Sequence, residues 1–272
     1  MIRLIVLGVV AFLAFVLVTL PASVITGRLE RFGVQTEEVQ GSVWNGTAAM
    51  LRYRGTPLGQ LQWQVHPLSL FGGRLRLDAH LLQSESQSLR SALSLAPGGR
   101  MRFENLQGTF PLSLLSTFGV AGSWSGSARL NFTELTLLDG WPAEASGTLE
   151  LHDLQAPTAK RQSLGGFRAT FPASAAQSAA AAGLASGAGG AGQDSQVSSS
   201  TGNPSELVGA LNSLEGPLDL AGVLKLSRNR GYVVEGRVAA KPGAPQDMAQ
   251  MIEYFGTPDA QGRRPFSLAG TL

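Results

Sequence analysis

Apolar and polar residues alternate with period two along most of this chain. Gln60-Leu61-Gln62-Trp63-Gln64-Val65 alternates without a fault, and so does Arg74-Leu75-Arg76-Leu77-Asp78-Ala79-His80-Leu81. The rule recurs in Arg100-Met101-Arg102-Phe103, Ala128-Arg129-Leu130-Asn131-Phe132, Thr148-Leu149-Glu150-Leu151 and Phe167-Arg168-Ala169-Thr170-Phe171. It returns late, in 218–226, 232–239 and 266–272. Such a period sends successive side chains to opposite sides of an extended backbone, the mark of a half-buried strand. Roughly ten to twelve short strands follow, separated by Gly, Pro and Ser. The expectation is a mainly β fold: a curled, groove-like antiparallel sheet, one face apolar and one polar, with a few short helices.

Four segments break the rule toward helix. Pro67-Leu68-Ser69-Leu70-Phe71 and Pro111-Leu112-Ser113-Leu114-Leu115 each read as one turn of helix closing an end of the sheet. Ser205–Leu214 reads as a helix with Ser205 as its N-cap. Gln246–Phe255 reads as another, entered from Pro245 and ended by Gly256. Residues 174–204 are Ala, Gly and Ser with almost no charge, a composition that cannot bury enough surface to order itself. They read as a flexible insertion, because the strand pattern resumes beyond them.

The N-terminus is different again. Leu4 to Leu20 are apolar except for Thr19, and at ~1.5 Å per residue such a run with its flanks can cross a thin or locally adapted bilayer. Residues 1–21 are therefore expected to be a single transmembrane signal-anchor helix, with a cleaved signal peptide ending near Leu20-Pro21-Ala22-Ser23 as the competing reading. Arg3 precedes the run and Arg28 and Arg31 follow it, so flanking charge barely orients it. The short N-terminus and the large polar remainder favour a cytoplasmic N-terminus and an exported bulk. The expected organisation is an anchor over 1–21, a link over 22–40 and a β domain over 41–272.

Composition narrows the chemistry. The 272 residues include 34 glycines and are only 15% charged, which fits a turn-rich extracytoplasmic β protein better than a helical bundle. With no cysteine there is no disulfide, thiolate chemistry or cysteine-ligated metal. His66, His80 and His152 show no metal-ligand spacing, and they read as surface or edge residues. The chain has no nucleophile elbow, phosphate loop or dinucleotide fingerprint. Nothing points to a catalytic, cofactor or metal site. The net charge of +2 and the exported location argue against nucleic acid.

Two features go beyond pattern. An aromatic box between glycines, Gly41-Ser42-Val43-Trp44-Asn45-Gly46, recurs as Gly122-Ser123-Trp124-Ser125-Gly126. Trp63 follows the first copy and Trp141 the second at similar distances, a loose sign of internal duplication. Seven arginines (Arg52, Arg54, Arg74, Arg76, Arg90, Arg100 and Arg102) are opposed between residues 47 and 103 only by Asp78 and Glu85. They read either as a solvated sheet face or as a basic stripe for anionic lipid headgroups or an acidic partner. The tryptophans read as core, or as the wall of an apolar groove for a lipid chain or a partner strand.

The order of these pieces resembles a known family. Leu20-Pro21-Ala22-Ser23 leads to the Gly41–Gly46 box, then to Gly59-Gln60-Leu61-Gln62-Trp63, Pro67 with its Leu-rich turn, and Gly73-Arg74-Leu75. The chain ends with Phe255-Gly256-Thr257-Pro258-Asp259, Gly262 and the 266–272 strand. Both ends resemble the N-protein family of the bacterial type II secretion system, with the Ala/Gly/Ser tract as an insertion. The resemblance implies an accessory inner-membrane component with one helix and a periplasmic β domain. It would contact other envelope components of the apparatus during export of folded proteins across the outer membrane, and it supplies no catalytic residues. A looser likeness to curved β-groove proteins of the AsmA type implies the alternative, a lipid-binding or lipid-transfer module with phospholipid as partner.

Overall fold

The computed structural model describes residues 19–23, 27, 30–118, 122–156, 162–172 and 206–271. The chain divides into two compact units, 1–98 and 99–272. Both are built almost wholly from antiparallel strands, in line with the period-two pattern.

The first unit is a five-strand meander: β1 (Val34–Gly41), β2 (Asn45–Tyr53), β3 (Thr56–His66), β4 (Leu75–Ser84) and β5 (Gln87–Ala96). Each strand pairs with the next. The β2–β3 hairpin turns on Arg54 and Gly55, both at positive φ (49° and 82°), as a two-residue hairpin loop demands. Register then sets the faces. Leu61, Trp63 and Val65 lie opposite Leu81, Ala79 and Leu77, and these share one apolar face. Gln62 and Gln64 lie opposite His80 and Asp78 on the other. Pro67–Gly72 forms a 3-10 turn, as the sequence indicates, and Gly73 ends it in the left-handed region (φ 68°).

The second unit is an eight-strand meander: β6 (Arg100–Pro111), β7 (Ser125–Leu138), β8 (Trp141–Gln155), β9 (Ser163–Phe171), β10 (Glu206–Ser213), β11 (Leu218–Ser227), β12 (Gly231–Ala240) and β13 (Arg264–Thr271). A second 3-10 turn, Leu112–Phe118, follows β6 at the expected place. The buried row runs across strands. Ala128 lies opposite Leu151 and Leu151 opposite Phe167, while Phe132 and Phe171 both face Gly147. The rings of Phe132 and Phe171 are 6.1 Å apart. The expected C-terminal helix is present as α1 (Gln246–Glu253), with Met248 and Ile252 buried against Val238, Leu218 and Phe266.

Three expectations are corrected. Ser205–Leu214 is not a helix: Glu206–Ser213 is β10, hydrogen-bonded between β9 and β11. The local signal was weak, since β-branched Val208 and Gly209 are poor helix formers. The ring of Phe171 lies where a Cβ on Gly209 would go, so pairing with the aromatic strand decides the outcome. Strand pairing also begins earlier than expected, because β1 (Val34–Gly41) takes up residues 34–40 of the segment read as a link. The third concerns the duplication. Trp63 stands opposite the glycine of the first box, Gly46, but Trp141 stands opposite Leu138 at the far end of β7, and the second box faces His152 and Gln155. The Asp139-Gly140 turn immediately before Trp141 puts it at the wrong end of its hairpin.

Among the described residues no helix is long and apolar enough to cross a membrane. The expected anchor over 1–21 rests on residues 1–18, and the expected insertion on 174–204, and both lie outside the described residues.

Candidate functional site

The first unit holds an apolar cavity of about 520 Å³ over β1–β4. It arises from the period-two pattern. The inward residues Leu61, Trp63 and Val65 of β3 and Leu75, Leu77 and Ala79 of β4 form its floor. Val34 and Thr36 of β1 and Leu51 of β2 line one end, while Val43, Trp44 and Leu70 line the other. Ala22, just after the N-terminal apolar run, also reaches it. Trp63 and Trp44 therefore line a space, where the sequence alone left core and groove wall both open. Trp44 is half-buried.

The box is the hinge that makes this wall. Gly41 has φ 90°, and a Cβ there would strike the Asn45 carbonyl and the Gly46 Cα, so only glycine fits. The Ser42 hydroxyl accepts from the backbone N–H groups of Trp44 (3.2 Å) and Asn45 (3.1 Å), which fixes the turn. The indole Nε1 of Trp63 donates to the Val43 carbonyl at 3.2 Å, so its polar edge is satisfied and its ring faces the cavity as a hydrocarbon. Leu20 accepts from the Val43 N–H (3.0 Å), and Ala22 donates to Gly41 (3.2 Å). The chain leaving the N-terminal run is thus fastened to the box. Pro67 opens the 3-10 turn that delivers Leu70 to the cavity.

In the second copy Gly126 (φ 123°) is also obligatory, since a Cβ would meet the His152 carbonyl at 2.6 Å. Gly122 has φ 99°, and Trp124 is half-buried just ahead of β7.

The seven arginines are spread over strands and turns of both units. Arg76 and Arg90 stand on the polar face of the first unit, each in register with polar neighbours: Arg76 lies opposite His66 and Ser94, and Arg90 opposite His80. Arg52 on β2 pairs with Glu37 at 3.0 Å. Arg54 lies in the β2–β3 turn, its guanidinium 5.3 Å from the Tyr53 ring centre, and Arg74 lies between the 3-10 turn and β4. Arg100 and Arg102 belong to the second unit, where Arg102 pairs with Glu134 (2.8 Å) and Glu104 (3.5 Å).

The polar face of the second unit holds a group the sequence reading missed. Arg129, Glu150 and Arg168 lie in one cross-strand row, with Arg168 2.7 Å from Glu150. His152 touches Glu150 through Nε2 and Glu215 through Nδ1, each at 3.3 Å. Desolvation pushes the Glu150 carboxyl up, but the hydrogen bonds and charges of Arg168 and His152 outweigh it and hold the pKa below its ordinary 4.5. The two glutamates sit on opposite nitrogens of His152. Among the described residues no group of three or more His, Cys, Asp or Glu is arranged to hold a metal. His66 is paired with Asp78 at 2.7 Å.

A second hub, Asp259, ties the C-terminal loop to β12. Its carboxylate accepts from Arg237 Nη1 (2.7 Å) and from the backbone N–H groups of Gln261 (2.8 Å) and Arg263 (2.9 Å). The alternation of β7–β9 could have shown the Arg129–Glu150–Arg168 row once the pairing was known. The Asp259 hub had no periodic signal.

Comparison with known proteins places this architecture. The family model for type II secretion system protein N matches residues 32–212 and 180–267. The chain is similar to "Type II secretion system protein N" of Aeromonas hydrophila, 28% identical over 98% of this chain and 96% of that protein. It is also similar to the protein of the same name in Vibrio cholerae, 36% identical over 28% of this chain and 30% of that protein. A third of that name, from Aeromonas salmonicida, is 36% identical over 17% of this chain and all of its own length. No solved structure matches the chain.

Proposed function

The chain belongs to the type II secretion system protein N family, and on that premise we propose that it is an accessory, envelope-associated component of this secretion apparatus. The observation that carries the reading is the extent of the likeness, since the Aeromonas hydrophila relative is matched over 96% of its length. Both boxes and the C-terminal loop lie within the family match. In this reading residues 1–21 hold the protein in the inner membrane as a single-pass anchor, N-terminus in the cytoplasm. The strands carry the periplasmic part. Tethering supplies the physical logic: confinement to one membrane raises the effective concentration of partners, so weak contacts suffice.

The polar face of the first unit, with Arg52, Arg76 and Arg90, is the proposed contact surface for acidic segments of other apparatus proteins. Arginine suits this task because its planar fork pairs with carboxylates in two-point fashion. Deleting the gene should lower export of a folded substrate while leaving its synthesis intact. A photo-crosslinker at position 76 or 90 should capture apparatus subunits. Normal export in the deletion strain would overturn the reading. Export restored fully by an Arg76→Glu, Arg90→Glu variant would move the contact surface elsewhere.

A further inference from the structure

The cavity over β1–β4 has the lining of a site for a chain-shaped apolar ligand. That lining runs from Val34 at the start of β1 to Val43 just beyond its end, and β1 itself covers about 23 Å at ~3.3 Å per residue. It offers hydrocarbon contact and almost no hydrogen-bond partner, which suits an extended hydrocarbon chain. The volume falls within the ~300–1,000 Å³ typical of small-molecule sites. Thr36 is the one lining residue that is neither aliphatic nor tryptophan, and the Trp63 N–H is already bonded to Val43. An apolar space of this kind favours an apolar ligand over water.

Two further observations identify the source. The apolar run Leu4–Leu20 ends where the cavity begins, since Leu20 bonds to Val43 and Ala22 belongs to the lining. The cavity lining is therefore fastened to the chain that leaves the segment read as entering the bilayer. An exposed arginine also flanks each end of the lining. Arg54 bonds through its backbone to Gly33 beside Val34, and Arg74 bonds to Ser69 and precedes Leu75. Such charges suit an anionic headgroup held outside an apolar cavity.

We propose that this cavity seats one acyl chain of an anionic membrane phospholipid, with Arg54 or Arg74 at its headgroup. The protein would then hold lipid drawn from the membrane to which it is tethered.

The test uses the full chain in phosphatidylethanolamine vesicles doped with phosphatidylglycerol that carries a photoreactive diazirine in its acyl chain. After irradiation, adducts are mapped by peptide mass spectrometry. Adducts are expected on Leu61, Trp63 and Leu77 of the first unit. Ala79→Phe and Thr36→Phe each place a ring in the cavity and should cut those adducts at least fivefold. Adducts within residues 1–20 should stay unchanged, which reports normal insertion. Gln62→Phe, on the opposite sheet face, should change neither set. The Arg54→Gln, Arg74→Gln variant should lower first-unit adducts at least threefold. Adducts confined to residues 1–20, or a yield that both filling variants leave intact, would overturn the seat. Equal loss in Gln62→Phe would show that general destabilisation caused the effect. An unchanged yield in the arginine variant would overturn the headgroup assignment. The vesicles contain no secretion apparatus, so the outcome is independent of that role.

Discussion

Gly46 and Trp63 stand opposite each other on β2 and β3, and the indole of Trp63 occupies the space that a side chain at position 46 would need. A Cβ there would also come within 2.8 Å of the Gln40 carbonyl. Gly46→Ala therefore overpacks the wall of the cavity, at a cost of about 1–3 kcal/mol in urea unfolding. Part of that loss should return in Gly46→Ala, Trp63→Leu, because the smaller side chain yields the contested space. The two losses are then non-additive. Strict additivity would show that the indole is not the obstacle.

The face of α1 that packs down separates burial from chemistry. Ile252 is buried against Val238 and its neighbours, while Met251, one residue earlier, is 59% exposed. Ile252→Ala should cost about 2–5 kcal/mol of stability. Met251→Ala should change it by no more than about 0.5 kcal/mol. Similar midpoints for the two variants in thermal unfolding would mean that α1 does not dock on β12.

These contrasts mark what the residue pattern alone could show. The alternation of 60–65 and 74–81 placed Leu61, Trp63, Leu75 and Leu77 on one face, and the structure keeps them there. Alternation fixes a face but not what lies over it, so the same residues were legible as apolar while core and groove wall both stayed open. Gly209 failed for the opposite reason. Its segment read as helical from Ser205 as an N-cap, and only the ring of Phe171, far away in sequence, makes a glycine in a strand the better solution there. Trp124 and Trp44 share a local box, yet their surroundings differ because the hairpins that follow differ in length: β3 brings Trp63 back to Gly46, whereas β7 carries the chain well past its own box. Asp259 sits in a loop whose partners come from β12 and from its own next few residues, and no periodic signal can announce that.

Glu150 tests whether the row on β7–β9 behaves as a unit. Burial alone would raise its carboxyl, and Arg168 and His152 pull it below the ordinary 4.5. In Arg168→Gln the desolvation remains while the strongest partner is gone. The Glu150 pKa, followed by carboxyl-carbon NMR, should therefore move up. An unchanged value would assign the control to His152 and Arg129.

Asp259 gives the C-terminal loop a defined acid sensitivity. Desolvation opposes its charge, but the backbone donor of Arg263, the Arg237 guanidinium, the Gln261 N–H and the charge of Arg263 together lower its pKa from 3.8 to about 2. A carboxylate depressed in the folded state stabilises the fold above its unfolded pKa, and that contribution is lost as pH falls through the folded value. The stabilisation should therefore be complete above the unfolded value of 3.8 and decline between there and about 2. Asp259→Asn keeps the shape and removes the charge, leaving Arg237 and Arg263 facing a neutral amide. The variant should unfold at lower temperature than the natural chain near neutral pH. The gap between their thermal midpoints should stay level down to roughly pH 4 and narrow below it. A gap that is constant down to pH 2 would mean that the loss comes from altered hydrogen-bond geometry in the loop and not from the ionised carboxylate.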